Sequence, residues 1–127
     1  MKEIIDTTKA PAAIGPYSQG IKVGNFVFLS GQLGLNPENG EFVPGGVAEQ
    51  TEQAFKNIKA LLAEVNLTLA NVVKTTVFLH EMTDFSAMNE VYAKQFAKPY
   101  PARSAIAVKT LPKNALVEVE VIAAESM

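Results

Sequence analysis

From about Val47 to Val65, the positions Thr51, Phe55, Ile58, Leu62 and Val65 recur three or four residues apart, with Ala54 and Leu61 beside them. That period puts them along one stripe of a helix whose other side is polar, so an amphipathic α-helix is predicted there. A second stripe of Phe85, Met88, Val91, Tyr92 and Phe96 predicts another helix over "DFSAMNEVYAKQFA", with Asp84 as its N-cap and Pro99 and Pro101 as its stop. Elsewhere the pattern changes to period two or to short apolar runs. "KEII", "YSQGIKV", "FVFLSGQLGL", "VVKTTVFLH", "RSAIAVK" and "LVEVEVIAA" read as strands. Gly24-Asn25 is a two-residue hairpin signal between the second and third of these, and "PENGE" turns about Asn39-Gly40. The first part of "APAAIGPYSQG" is loop and "TLPKNA" is a turn. Strands, helix, strand, helix and two strands describe an α+β fold, with both helices expected on one face of a mixed sheet. No repeat, low-complexity tract or linker interrupts the chain, and its 127 residues fit one domain, 1–127.

Alternation also sorts the sheet faces. In the last strand, Val117, Val119, Val121 and Ala123 form an apolar row suited to the helices, leaving Leu116, Glu118, Glu120 and Ile122 on the other side. The strand before it splits into Ser104, Ile106 and Val108 against Arg103, Ala105, Ala107 and Lys109. With these two strands taken as neighbours, their charged rows are expected to share a face, joined by Phe26, Phe28 and Ser30. A face mixing aromatics, alanines and a few charges is poorly suited to bulk water. Two helices cannot cover both sides of the sheet, so other copies of the chain are expected to cover the second side. Arg103 and the glutamates then fall near a subunit boundary.

Composition narrows the chemistry. Hydrophobic residues make up 48%, enough for a core and too many for a disordered chain. The net charge of −2, a pI near 5.4 and the lack of any basic run leave no electrostatic footprint for nucleic acid or an anionic membrane. There is no cysteine, which removes disulfides, thiolate metal sites and a cysteine nucleophile together. The start "MKEIIDTTKAPAAIG" has no signal-peptide core, and no apolar run reaches the ~20 residues of a membrane span, so a cytoplasmic location is expected. His80 is the only histidine and no G-x-S-x-G elbow is present, which disfavours a serine triad; a zinc site would have to rest on carboxylates. Phosphate-loop and dinucleotide fingerprints are absent. No metal and no organic cofactor is expected.

What remains is an arginine with two glutamates. The planar fork of Arg103 matches a carboxylate through two parallel hydrogen bonds, so it could anchor a small carboxylate-bearing ligand while a glutamate positions water. Spacing alone equally allows Arg103 to pair with Glu118 or Glu120 as an inter-subunit salt bridge. Taken singly, Tyr17 and Ser30 read more simply as packed or capped hydroxyls.

The segments "APAAIGPYSQG", "SGQLGLNPENGE", "VVKTTVFL", "DFSAMNEVY", "YPARSAIAV" and "LPKNALVEVEVIA", in this order, resemble the RidA/YjgF family from about residue 3 to residue 124. The resemblance implies a chorismate-mutase-like α+β fold assembled as a homotrimer, whose three sheets form a central barrel with clefts between subunits. It implies cofactor-independent hydrolysis of reactive 2-imino acids to 2-keto acids and ammonia. Such imines and their enamine tautomers leave pyridoxal-phosphate dehydratases and damage other enzymes if they persist. By position, Arg103 matches the carboxylate clamp and Glu118 the catalytic acid, a choice over Glu120 that only the resemblance makes. Tyr17, Ser30, Gly31, Asn89 and Pro112 match pocket positions. Many members have cysteine two residues after the arginine, where this chain has Ala105. The family uses the backbone there to meet ligand, which alanine retains, whereas redox switching through that position is ruled out. The alternative to an enzyme is a non-catalytic trimeric module that binds 2-keto acids or similar carboxylates as a metabolite sensor. An RNA-directed activity, described for some relatives, fits poorly with the acidic pI and lone histidine.

Overall fold

The valine row of the last strand organises the molecule. In the computed structural model, which describes residues 1–126, β7 (Val117–Ala124) lies between β3 (Phe26–Leu29) and β5 (Val72–Leu79), antiparallel to both. The other strands are β1 (Glu3–Ile5), β2 (Gly20–Val23), β4 (Gln32–Leu33) and β6 (Ala102–Ala107); the helices are α1 (Val47–Ala63) and α2 (Phe85–Gln95). Together the strands form a seven-stranded mixed sheet in the order β1-β2-β3-β7-β5-β6, with β4 also paired to β7. The only parallel pair among the described residues is β5 with β6, joined through α2.

Both helices cover one face, as their periodicity predicts. Phe55, Ile58, Leu61 and Leu62 of α1 and Met88 and Tyr92 of α2 enter one buried cluster with Val77, Leu79, Val117, Val119 and Val121. Phe55, Tyr92 and Phe96 pack ring against ring, with centroids 5.0–5.7 Å apart. A smaller cluster of Leu33, Leu35, Leu111 and Ala115, flanked by Phe42, Phe78 and Val108, stands apart from this core. Phe26, Phe28 and Ile106 stay exposed among the described residues, at 49%, 44% and 47%, so the side of the sheet away from the helices keeps a large apolar area.

Several expectations need correction. The run "FVFLSGQLGL" is two strands, because the chain breaks at Ser30-Gly31 before β4 resumes pairing with β7. The first helix ends at Ala63, and the chain turns through Asn66, at φ 60°, rather than reaching Val65 as helix. Asp84 does occupy the N-cap position of α2, but its side chain makes no capping hydrogen bond, because the residue also closes a short 3-10 turn, Met82–Asp84, and has helical backbone. The prolines do not stop α2, which ends at Gln95 when Phe96 turns extended and packs its ring on Phe55 and Tyr92. Most consequentially, β6 is not the neighbour of β7. β5 lies between them, and the registers Thr75↔Arg103 and Val77↔Ala105 put Arg103 and Ala105 on the helix face, with the buried Thr75 and Val77. Glu118 and Glu120 pair with Phe78 and Thr76 and point to the opposite side.

Candidate functional site

The chain carries two candidate cavities, one on each side of the sheet. The first is a cleft of about 610 Å³ lined by Tyr17, Ser30, Gly31, Pro112 and Glu118, among others. Five of the eight residues carried over from the family therefore meet here. The break at Ser30-Gly31 makes this possible. A Cβ built on Gly31 would lie 2.6 Å from Glu118 Oε2 and 2.7 Å from its Cδ, so only glycine lets the main chain lie against that carboxylate. The carboxyl of Glu118 is pushed above the usual glutamate range, first by burial and then by the charge of Glu120 two residues along the strand. A half-buried carboxylate of raised basicity, beside a cleft, is suited to proton transfer.

The other lining residues support rather than extend this chemistry. Tyr17 Oη accepts the Ile14 N–H at 3.3 Å. Ser30 Oγ donates to the Ser18 carbonyl at 2.6 Å, so the hydroxyl proton is already engaged within the chain. Pro112 opens a turn in which Lys113 and Asn114 both adopt left-handed backbone, φ 56° and 58°. Lys113 is the one cation on the cleft lining.

The second is a cavity of about 500 Å³ lined by Asn89, Tyr92, Ala93, Tyr100, Pro101 and Arg103. The Arg103 guanidinium lies 4.6 Å from the centroid of the Tyr92 ring and 5.3 Å from that of Phe85. Its Nη1 donates to Asn89 Oδ1 at 2.6 Å. Tyr92 is fixed in turn, its hydroxyl 2.8 Å from that of Thr75 inside the core. Ala105 lines neither cavity. Val108 N–H donates to Leu79 O, and alternation along the strand then turns the N–H and C=O of Ala105 away from β5, toward the outer edge of the sheet. No salt bridge joins Arg103 to Glu118 or Glu120 within the described chain, and their placement on opposite faces explains why.

Gln19 lies in the "APAAIGPYSQG" segment, but the sequence does not single it out. It is 3% exposed, lines the first cleft, and bonds repeatedly to the loop preceding it. Among the described residues no group of three or more His, Cys, Asp or Glu side chains is placed to hold a metal ion, and no helix is long and apolar enough to cross a membrane.

The close contact at Gly31 yields a first prediction. Gly31→Ala leaves the fold intact, since the atoms in the way belong to a flexible side chain, but forces the Glu118 carboxylate out of place. Misplacing a reacting group by about 1 Å can cost ~10²-fold, so any reaction that depends on the Glu118 carboxylate is expected to slow by about that factor in the variant while its melting temperature stays near wild type. A wild-type rate would detach Gly31 from the chemistry.

Comparison with known proteins converges on one family. The family model described as Endoribonuclease L-PSP matches residues 7–125. A RutC family protein of Pyrococcus abyssi is 53% identical over 122 residues, covering 96% of each chain. The 2-iminobutanoate/2-iminopropanoate deaminase of Mus musculus is 48% identical over 125 residues, covering 98% of this chain and 93% of that one. Among solved structures, RidA from an Antarctic Psychrobacter matches with a TM-score of 0.93 at 47% identity, over 97% of this chain and 99% of its own. TdcF of E. coli with bound serine matches with a TM-score of 0.92 at 41% identity, over 98% and 99%. With the mixed sheet, the two helices on one face and these matches along nearly the whole chain, the protein belongs to the RidA/YjgF family, whose model carries the Endoribonuclease L-PSP description.

Proposed function

We propose that the protein hydrolyses reactive 2-imino acids to 2-keto acids and ammonia, in clefts shared between copies of the chain. The observation that carries this reading is the half-buried Glu118 held against Gly31 in an open cleft. The deaminase names of relatives at 45–53% identity support the substrate class, and the serine held by TdcF is a small amino acid of comparable shape.

The substrate carboxylate pairs with the Arg103 guanidinium, which Tyr92 and Asn89 hold in place, while backbone groups at the Ala105 edge fix the plane of the imine. Since Arg103 and Glu118 leave the sheet on opposite sides, the second half of each cleft comes from a neighbouring copy. A closed ring, a trimer in the family arrangement, would cover the exposed Phe26, Phe28 and Ile106 at the same time. Protonated imine nitrogen makes C2 electrophilic. Glu118 accepts a proton from water as its oxygen bonds to C2. The resulting carbinolamine takes that proton on nitrogen; as the C–N bond breaks, Glu118 takes the hydroxyl proton and passes it to the departing ammonia, and the products are keto acid and ammonium. Imines hydrolyse readily in water, so one general base, supplying about 10²–10⁴-fold, meets the demand together with orientation.

The test is a coupled assay in which threonine dehydratase generates 2-iminobutanoate in buffer free of amine catalysts. Faster appearance of 2-ketobutanoate with the protein present is expected. No acceleration by an intact oligomer would move the reading to a non-catalytic module that binds 2-keto acids.

A further inference from the structure

The loop of residues 6–19, between β1 and β2, contains no helix or strand and supplies Pro11, Ala12, Ile14 and Tyr17 to the lining of the Glu118 cleft. A segment this long without regular structure needs something to define its path. Besides the burial of Ala10 in the core, most of that falls to one side chain. Gln19 Oε1 accepts the Thr7 N–H at 2.7 Å, and its Nε2 donates to the carbonyls of Thr7 at 3.0 Å, Ala10 at 3.3 Å and Pro11 at 2.7 Å. Those three carbonyls share two amide protons, so the donor capacity of Gln19 is fully used inside the loop. The loop is then tied to the Ser30-Gly31 break by Ser30 N–H on Gln19 O, 3.0 Å, and Ser30 Oγ on Ser18 O.

We propose that Gln19 is a positioning residue of the cleft: its buried amide sets the course of the 6–19 loop so that Tyr17 and Ile14 line the same cleft as Glu118 and limit its contact with water. The side chain touches no reacting atom in this scheme and acts only through the loop. The role rests on the proposed function for its activity readout alone.

The titratable groups on the cleft lining with Glu118 are Tyr17 from the loop and Lys113 from the 112–114 turn; Glu120, on its own strand, acts on it through its charge, and in the proposed shared cleft Arg103 of the neighbouring copy faces it as well. Of these, the loop is what Gln19 controls. Gln19→Met preserves length but removes every hydrogen bond of the amide; Gln19→Asn, one methylene shorter, is the milder variant should the first fail to fold. Two readouts need no turnover. Carboxyl ¹³C NMR follows the titration of Glu118, and hydrogen exchange follows the loop amides. The expected result is that Glu118 titrates at lower pH than in wild type, nearer the ordinary glutamate range, because water reaches it, while residues 7–18 exchange at least about tenfold faster and α1 is unchanged. In the deaminase assay, kcat/KM falls by about 10–10²-fold and the acid limb of the pH profile moves down with the Glu118 titration. Glu118 titrating as in wild type despite a loosened loop would overturn the proposal and leave Gln19 a purely structural residue. If the wild-type protein proves inactive, the titration and exchange results still decide the role of Gln19, separately from the proposed function.

Discussion

Glu118→Gln is expected to slow 2-iminobutanoate hydrolysis by about 10²–10⁴-fold, the usual contribution of a general base, while raising the melting temperature at neutral pH. The two effects share one cause. Burial, and then Glu120, hold the Glu118 carboxyl above its ordinary range. Between the ordinary and the raised value the folded chain binds more protons than the unfolded one, so stability declines as pH rises through that window. Above it, at neutral pH, the cost of the ionised group is fully present, and glutamine removes it. Below the ordinary glutamate range both states are protonated and the stability difference between variant and wild type should vanish. Activity has the opposite slope. The ionised base is required, so the wild-type rate falls as pH drops through the raised value, and the variant has lost that limb. Thermal unfolding and rate profiles across the acid range test both statements. A variant less stable than wild type at neutral pH, or one that keeps its activity, would contradict the assignment.

Arg103→Ala should cost about 10²-fold or more in kcat/KM, as expected for losing charge-assisted bonds to a carboxylate, with little change in stability because the side chain is exposed. The two variants together test where the site lies. In one chain Arg103 and Glu118 are on opposite faces of the sheet. If each cleft takes Arg103 from one copy and Glu118 from the next, co-refolding equal amounts of Arg103→Ala and Glu118→Gln chains should rebuild roughly a quarter of the clefts, since each of the two required chains is drawn with even odds. Activity should return to about that fraction of wild type. No recovery, with mixed oligomers confirmed, would sink the shared-cleft reading.

The sequence made the helices and the central strand legible because both follow simple periods. The stripe through Phe55, Ile58 and Leu62 and the row Val117, Val119, Val121 lie where their spacing puts them, in the core. Alternation failed for β6. There the bulkier row of Ser104, Ile106 and Val108 suggests burial, yet Ile106 is exposed and the small Ala105 faces the core. The helix side is already filled with the rings of Tyr92, Phe55 and Phe96, so Ala105 suffices to pack beneath them. The sequence does carry a usable signal: a helix between two strands favours parallel pairing of those strands, which places β6 beside β5 rather than β7. The candidate site was legible only through family resemblance. Gln19 belongs to no chemical motif, and the contact between Gly31 and Glu118 joins residues 87 positions apart in sequence.

Under the proposed mechanism, the opposite orientation of Arg103 and Glu118 would tie catalysis to mass action. In the proposed shared cleft, an isolated chain holds a clamp without a base and a base without a clamp. Dilution below the assembly constant would therefore lower activity per chain well before any unfolding, and substrate bridging both halves would draw copies together. Protein concentration then becomes a control on specific activity, set by the expression level of the chain.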